Sequence, residues 1–288
     1  TGVPVTSLGL GGFHVGWTTG ERAQAVIEKA LESGIRFFDT AESYGPATSE
    51  ERYGQYLPKE HRDLLFIMTK TTARDAATAK RHLQESLDRL RTDYLDLWQI
   101  HAISDPGDVR NRIDQGVLEV VREAKANGRV RHIGFTGHAN PKAHLEMLKQ
   151  TEASDCMEVC QMPVNPVDAA YSQSFTREVL PLLMERKMGV LAMKTLADGR
   201  FFAAKNEHSW RTGDPVVPDR MNLREALFFV WSLPVSVLIT GAENVEFLED
   251  KVRLARAYES FAETERQRLI EAVADLAEEG KVEYYKKV

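Results

Sequence analysis

The sequence predicts an α/β fold, a (β/α)8 TIM barrel in which eight parallel strands alternate with helices around a closed ring. Three observations lead there. Short apolar runs alternate with amphipathic ones along the chain, and eight such strand–helix pairs can be read. Several of the apolar runs, such as "VSVLITGA", are continuous rather than alternating, as strands covered on both faces are. The 288 residues match the size of such a barrel, typically about 250 residues with room for insertions.

The pairs follow one another without a linker or low-complexity segment, so residues 1–288 read as a single domain. A hairpin-like lead-in brings the chain to the first strand, "SLGLGG" (7–12), and a helix at 21–33 in which Val26, Ile27, Ala30 and Leu31 share a face. "IRFFDT" (35–40) precedes a short helix at 49–57, and "LLFIMTK" (64–70) a longer one at 78–91. "YLDLWQIHA" (94–102) precedes the helix 116–128, which closes on an Asn-Gly stop. "VRHIGFTG" (130–137) leads to a helix starting near Pro141, a residue suited to a first turn. "MEVCQMPV" (157–164) pairs with a helix at 175–187, "GVLAMKTL" (189–196) with 222–233, and "VSVLITGA" (235–242) with 244–255. A further helix, 263–279, is extra to the barrel. The competing architecture, an open doubly wound sheet, would carry G-x-G-x-x-G after its first strand. "GLGGF" lacks the third glycine at that spacing. The irregular stretch 197–220 is long enough to be a lid or binding loop.

Composition narrows the function classes. Net charge is −6 with no basic block, which argues against nucleic acid as a partner. No apolar run approaches the roughly 18 residues of a membrane span. Cys156 and Cys160 form neither a metal-type cluster nor a disulfide framework, so a reducing, cytoplasmic setting is expected. The chain starts without Met or a signal-peptide pattern and reads as clipped ahead of Thr1.

A barrel carries its active site at the C-terminal ends of its strands. Polar residues at those ends are therefore the candidates: Asp39 and then Tyr44 after strand 2, Lys70 on strand 3, His101 on strand 4, Thr136, Gly137 and His138 on strand 5, Gln161 on strand 6 and Lys194 on strand 7. Singly, an Asp–Lys pair is more often an ion pair, and a strand-end Tyr or His more often packing. Four such residues converging on one rim favour catalysis.

"DTAESYG", "TK" closing strand 3 and "QIHA" closing strand 4, in that order, resemble the aldo-keto reductase family, and the resemblance runs from "TGVPVTSLGLGG" to "ITGAENVEFLED". "GHANP" after strand 5 is similar to a branch of the family with G-H-x-x-P. The resemblance implies a catalytic tetrad of Tyr44, Lys70, Asp39 and His101. Physical chemistry is consistent with those roles. A phenol with an ordinary pKa near 10 is a weak acid at pH 7, and a nearby ammonium stabilises its phenolate. Asp39 would hold Lys70, and His101 would orient a carbonyl oxygen. Glu42 either supports the site or is a solvated carboxylate.

No side chain delivers hydride, so a nicotinamide is implied, as NADP or NAD with NADP slightly favoured. The resemblance implies that Gln161 and Thr136 hold the carboxamide and that Met193 stacks near the ring, with Gly11, Gly12, Asp39 and Lys194 close to the cofactor. At the phosphate end Gly241, Ala242 and Asn244 offer contacts, with Asp250 toward the adenine. The family arginine for the 2′-phosphate is replaced by Phe247, which leaves Lys251 as a candidate cation. Substrate contacts are expected from Phe13, His14, Trp17, Tyr44 and His101, and from Trp210 in the long loop. The substrate is expected to be a small carbonyl or alcohol, and the protein a monomer or small homo-oligomer. Two other classes stay open: a nicotinamide-binding regulatory subunit with little turnover, like the β-subunits of potassium channels, and a hydrolase using Asp39 and Glu42 as paired carboxylates. A metal hydrolase has no supporting ligand run, and no metal is expected.

Overall fold

The computed structural model describes residues 1–202, 215–217 and 219–287. Eight parallel strands close into a barrel in chain order, β1 to β8, with β1 pairing back onto β8. They are β1 (Leu8–Gly11), β2 (Phe37–Asp39), β3 (Phe66–Thr71), β4 (Leu95–Ile100), β5 (Val130–Thr136), β6 (Val159–Pro163), β7 (Gly189–Met193) and β8 (Val237–Thr240). Ahead of β1, residues 1–6 form no strand, so the lead-in is irregular chain rather than a hairpin.

The helices are α1 (Gly12–Trp17), α2 (Gly20–Glu32), α3 (Thr48–Tyr56), α4 (Ala76–Leu90), α5 (Pro106–Asp114), α6 (Val117–Ala126), α7 (Pro141–Gln150), α8 (Pro166–Ala170), α9 (Phe175–Glu178), α10 (Leu180–Glu185), α11 (Leu223–Trp231), α12 (Val245–Arg256) and α13 (Glu263–Ala272). Several starts follow from side-chain caps. Asp75 accepts from Thr78 N–H at the head of α4, Asn140 caps α7 ahead of Pro141, and Asn222 and Glu225 form a reciprocal box on α11. The helix expected over 175–187 is broken into α9 and α10. Pro181 has no N–H to continue the ladder, and the chain turns at Val179. The last helix stops at Ala272 and continues as short 3-10 turns instead of running to 279. α1, α5 and α8 lie in stretches that the periodicity left as loops.

Strand period positions the site. Phe37, Met68, Leu97, Val159 and Leu191 fill the barrel interior, together with Val237 and Ile239. Side chains two residues further along a strand share its face. Asp39, Lys70, Gln161 and Met193 therefore stand one layer above that apolar plug, and Thr136 is level with Gln161 in the β5–β6 register. The alternate residues, Phe38, Trp98 and Phe135 among them, are buried between sheet and helices. Among the described residues no helix is long and apolar enough to cross a membrane, and no group of three or more His, Cys, Asp or Glu could hold a metal ion.

Candidate active site

Lys70 is almost wholly buried and organises the rim. Its Nζ donates to Asp39 Oδ1 at 2.5 Å, to the Thr40 carbonyl at 2.7 Å and to Tyr44 OH at 3.3 Å. Tyr44 reaches that point from a tight loop. Its N–H donates to Ala41 O, and Gly45 follows with φ +67°, where an added Cβ would lie 2.2 Å from Gly16 O on α1. The Tyr44 ring meets Phe13 and His101 edge to face, with centroids 5.5 and 5.8 Å away. The four expected tetrad residues are thus brought together.

The electrostatics of this cluster are mutual. Burial pushes the Asp39 carboxyl up, against the pull of Lys70. Burial alone would depress Lys70, but Asp39 and Tyr44 together carry it above the ordinary lysine value. Burial raises the Tyr44 phenol, Lys70 opposes that rise, and Asp39 and Glu42 add to it. The net direction for Tyr44 is upward, contrary to the lowering expected from Lys70 alone. The ammonium acts as expected, but Asp39 cancels part of its field and desolvation outweighs the rest. His101 is held well below the usual histidine range by desolvation and then by Lys70, His138 and Arg112, so its imidazole is neutral. The arrangement can donate a proton from a phenol, receive the resulting charge beside an ammonium, and offer an imidazole N–H to the same acceptor.

A cavity of about 530 Å³ opens beside the tetrad. Phe13, His14, Asp39 and Tyr44 line one end together with Gln161. Met193, Lys194, Gly241, Asp250 and Lys251 line its extension along β7, β8 and α12, with Gly11 beside β1. Gln161 Oε1 is buried without a hydrogen-bond partner among the described residues. At Gly241 a Cβ would stand 2.2 Å from His14 Nδ1, so glycine here lets the His14 ring pack against the backbone after β8. Gly12, Thr136 and Ala242 are buried but do not line the cavity, and Asn244 Oδ1 is committed to capping α12 through Phe247 N–H. Trp17 is 44% exposed, with its ring 6.3 Å from Phe13. Trp210 lies outside the described residues.

Lys251 donates to the Gly241 carbonyl at 2.6 Å. Desolvation lowers its pKa to about 8, opposed by Glu243. Lys194 is in left-handed conformation at φ +53° and pairs with Asp198 at 2.8 Å. Asp198 and Phe202 line the cavity from the stretch 197–220 expected to be a binding loop, whereas reading the sequence missed Glu243. It also missed the C-terminal tyrosines. Tyr284 OH donates to Asp198, and the Tyr285 ring lies 5.6 Å from that of His138. Their aromatic pair in the tail was the available signal. Glu42 is pinned rather than solvated, accepting from Thr72 N–H at 2.8 Å. With Asp39 held by Lys70 and Glu42 by Thr72, the paired-carboxylate hydrolase loses both its groups.

The chain is thus a closed (β/α)8 barrel that carries Tyr44, Lys70, Asp39 and His101 together on its C-terminal rim. A profile described as "Aldo/keto reductase family" matches residues 7–283, and the chain belongs to that family. Among its relatives is the "Uncharacterized oxidoreductase YqkF" of Bacillus subtilis (strain 168), 25% identical over 287 residues and 88% of each chain. The "Methylglyoxal reductase DkgB" of Salmonella typhi is 30% identical over 207 residues, 70% of each chain. Among solved structures, the holo form of the aldo-keto reductase AKR11C1 from Bacillus halodurans superposes with a TM-score of 0.77 at 24% identity, covering 96% of this chain and 95% of that one. An aldo-keto reductase from Klebsiella pneumoniae in complex with NADPH gives 0.71 at 22% identity, covering 94% and 92%. These two structural likenesses speak to the fold.

Proposed function

We propose that the chain is a single-domain, cytoplasmic NAD(P)-dependent oxidoreductase that interconverts a small aldehyde, ketone or sugar-like carbonyl and its alcohol. The observation that carries this reading is the Tyr44 hydroxyl, 3.3 Å from the Lys70 ammonium and facing a cavity lined by Gln161. Family membership and the oxidoreductase names of its relatives support the reaction class. Related folds bound to NADPH support the cofactor class.

The residues present fit a nicotinamide dinucleotide. The unpartnered Gln161 Oε1, on the lining of the cavity, suits an amide donor. Gln161 and Met193 would hold the ring end, and the β8–α12 segment with Lys251 the adenosine end; when bound, the cofactor supplies the hydride. Tyr44 donates its proton to the carbonyl oxygen as charge builds there. Lys70 stabilises the phenolate left behind, and Asp39 keeps Lys70 in place and charged. Neutral His101 donates a hydrogen bond to the same oxygen and orients it. In the alcohol-to-carbonyl direction the Tyr44 phenolate takes the proton back.

The test is absorbance at 340 nm with NADPH or NADH and a panel of methylglyoxal, 4-nitrobenzaldehyde and aldoses, alongside cofactor titration by fluorescence. Turnover that is lost in Tyr44→Phe while cofactor affinity persists is the expected result. Stoichiometric cofactor binding with no carbonyl reduced would overturn it in favour of a regulatory subunit.

A further inference from the structure

Glu42, the second carboxylate of "DTAESYG", has no part in the proton path above, yet its side chain is only 9% exposed. Oε1 accepts from Thr72 N–H at 2.8 Å and from Thr72 Oγ1 at 2.5 Å, and Oε2 accepts from Ser43 N–H at 3.1 Å. His82 on α4 stands over the same oxygen, with Nδ1 3.5 Å from Glu42 Oε1 and 3.0 Å from Thr71 Oγ1. A solvated loop carboxylate would keep its water. This one has exchanged it for donors on both sides of a gap.

The two sides are specific. Ser43 immediately precedes Tyr44, and Thr72 lies two residues beyond Lys70. Glu42 therefore bridges the β2–α3 loop, which carries the phenol, to the end of β3, which carries the ammonium. Glu42 shares this task with Lys70, which reaches the Thr40 carbonyl and the Tyr44 hydroxyl, and with Ser43 Oγ, 3.5 Å from His101 Nδ1; the Ala41 turn lies within the loop itself, and Gly45 packs against Gly16 on α1. Charge-assisted bonds of this kind are stronger than neutral ones and hold geometry accordingly.

We infer that Glu42 is a positioning residue for proton transfer, setting the Tyr44 hydroxyl against Lys70 by tying the tyrosine loop to Thr72. The inference rests on the reading of Tyr44 as the acid. Glu42 has a second effect through its charge. Tyr44 faces Lys70 from β3, Asp39 from β2, neutral His101 from the end of β4 and Glu42 from its own loop, and the two carboxylates favour the neutral phenol.

The test compares wild type, Glu42→Ala, Glu42→Gln, Thr72→Val and Tyr44→Phe with NADPH and 4-nitrobenzaldehyde, reading kcat, KM, the NADPH dissociation constant and the pH–rate profile. Misplacement of a reacting group by about 1 Å costs roughly 100-fold, so Glu42→Ala should lose about two decades of kcat. Its KM and NADPH affinity should stay within about twofold of wild type, because the bridge does not line the cofactor cavity. Glu42→Gln keeps an acceptor for Thr72 N–H and should recover most of the rate. With one negative charge removed, its basic limb should move to lower pH. Thr72→Val loses only the hydroxyl donor and should fall about threefold to tenfold.

Wild-type kcat in Glu42→Ala, beside the expected collapse of Tyr44→Phe, refutes the inference alone. So does a loss in Glu42→Ala that is matched in NADPH affinity and not recovered by Glu42→Gln, since that marks general damage to the rim. Should Glu42→Ala not fold, unchanged rates in Thr72→Val together with an unmoved basic limb in Glu42→Gln refute it as well. Full turnover in Tyr44→Phe removes the acid assignment, and this inference with it.

Discussion

Replacing Lys70 with methionine keeps the length of the side chain and deletes its charge. At 3.3 Å, attraction between an ammonium and a phenolate amounts to about 5 kcal/mol at an effective dielectric of about 20. Asp39, 2.5 Å from the same ammonium, works against that attraction at Tyr44. What survives is of the order of one charged hydrogen bond, about 1.5–3 kcal/mol, or one to two decades of rate. Lys70→Met should therefore reduce the kcat for 4-nitrobenzaldehyde by roughly 10- to 100-fold and raise the Tyr44 pKa further. Reduction needs the protonated phenol, so the basic limb of the pH–rate profile should move to higher pH. Stability responds too. Asp39 already has a raised pKa, so its contribution is greatest below the unfolded carboxylate value and is lost as pH rises through the folded one. Without Lys70 that folded value rises further. The melting temperature of the variant should therefore fall increasingly behind wild type as pH rises above the unfolded carboxylate value. Near-normal kcat with an unmoved basic limb would refute the role given to Lys70.

Tyr44→Phe should lower kcat by roughly 10²–10⁴-fold, the range for loss of a general acid, with NADPH affinity by fluorescence nearly unchanged. Glu158 is opposed by burial but held down to about 2 by His132, Lys125 and Ile133 N–H. Its contribution is therefore present above the unfolded glutamate value and lost as pH falls toward about 2. Glu158→Gln should cost roughly 1–2 kcal/mol at pH 7 after solvent screening and progressively less as pH falls through about 2, as read by denaturant unfolding. If Lys251 reads the 2′-phosphate, Lys251→Ala should weaken NADPH by about one to two decades and leave NADH almost unchanged by calorimetry. In wild type the NADPH affinity should then decline as pH passes about 8, where the ammonium loses its proton.

The rim positions of Asp39 and Lys70 were legible because each sits at a fixed distance from a strand pattern, whereas Tyr44 rides on a loop and was marked by the "DTAESYG" motif. Met68 and Lys70, or Val159 and Gln161, are two residues apart on one strand, so recognising the apolar interior also locates the polar layer above it. Loop-borne contacts had no such ruler. Glu42 meets Thr72 across 30 residues and Tyr284 meets Asp198 across 86, and no local periodicity encodes either contact. The break between α9 and α10 was in principle legible from Pro181, and the head of α5 from Asp105 and Pro106, which cap and open it. The first was outweighed by a longer apolar rhythm, and the second was passed over because "PGDVRNRID" is mostly polar and shows none.

The sign of the Tyr44 shift bears on how such a site would work. A lysine alone beside the phenol would draw it toward phenolate at rest, and a phenolate has no proton to give. Burial of the phenol is the main guard against that, and Asp39 assists: it keeps Lys70 charged while cancelling part of its field at the hydroxyl, and Glu42 adds to the same balance. Neutral His101 completes the set, donating a hydrogen bond without adding a second cation. On the proposed roles, the resting site is a protonated acid beside a nearly neutral ion pair. The ammonium becomes worth most once negative charge appears on the phenol oxygen, so its stabilisation falls on the transition state more than on the ground state. This is why Asp39 is more than a tether: Asp39→Asn would loosen Lys70 and also unmask its field, and the two effects act on Tyr44 in opposite directions.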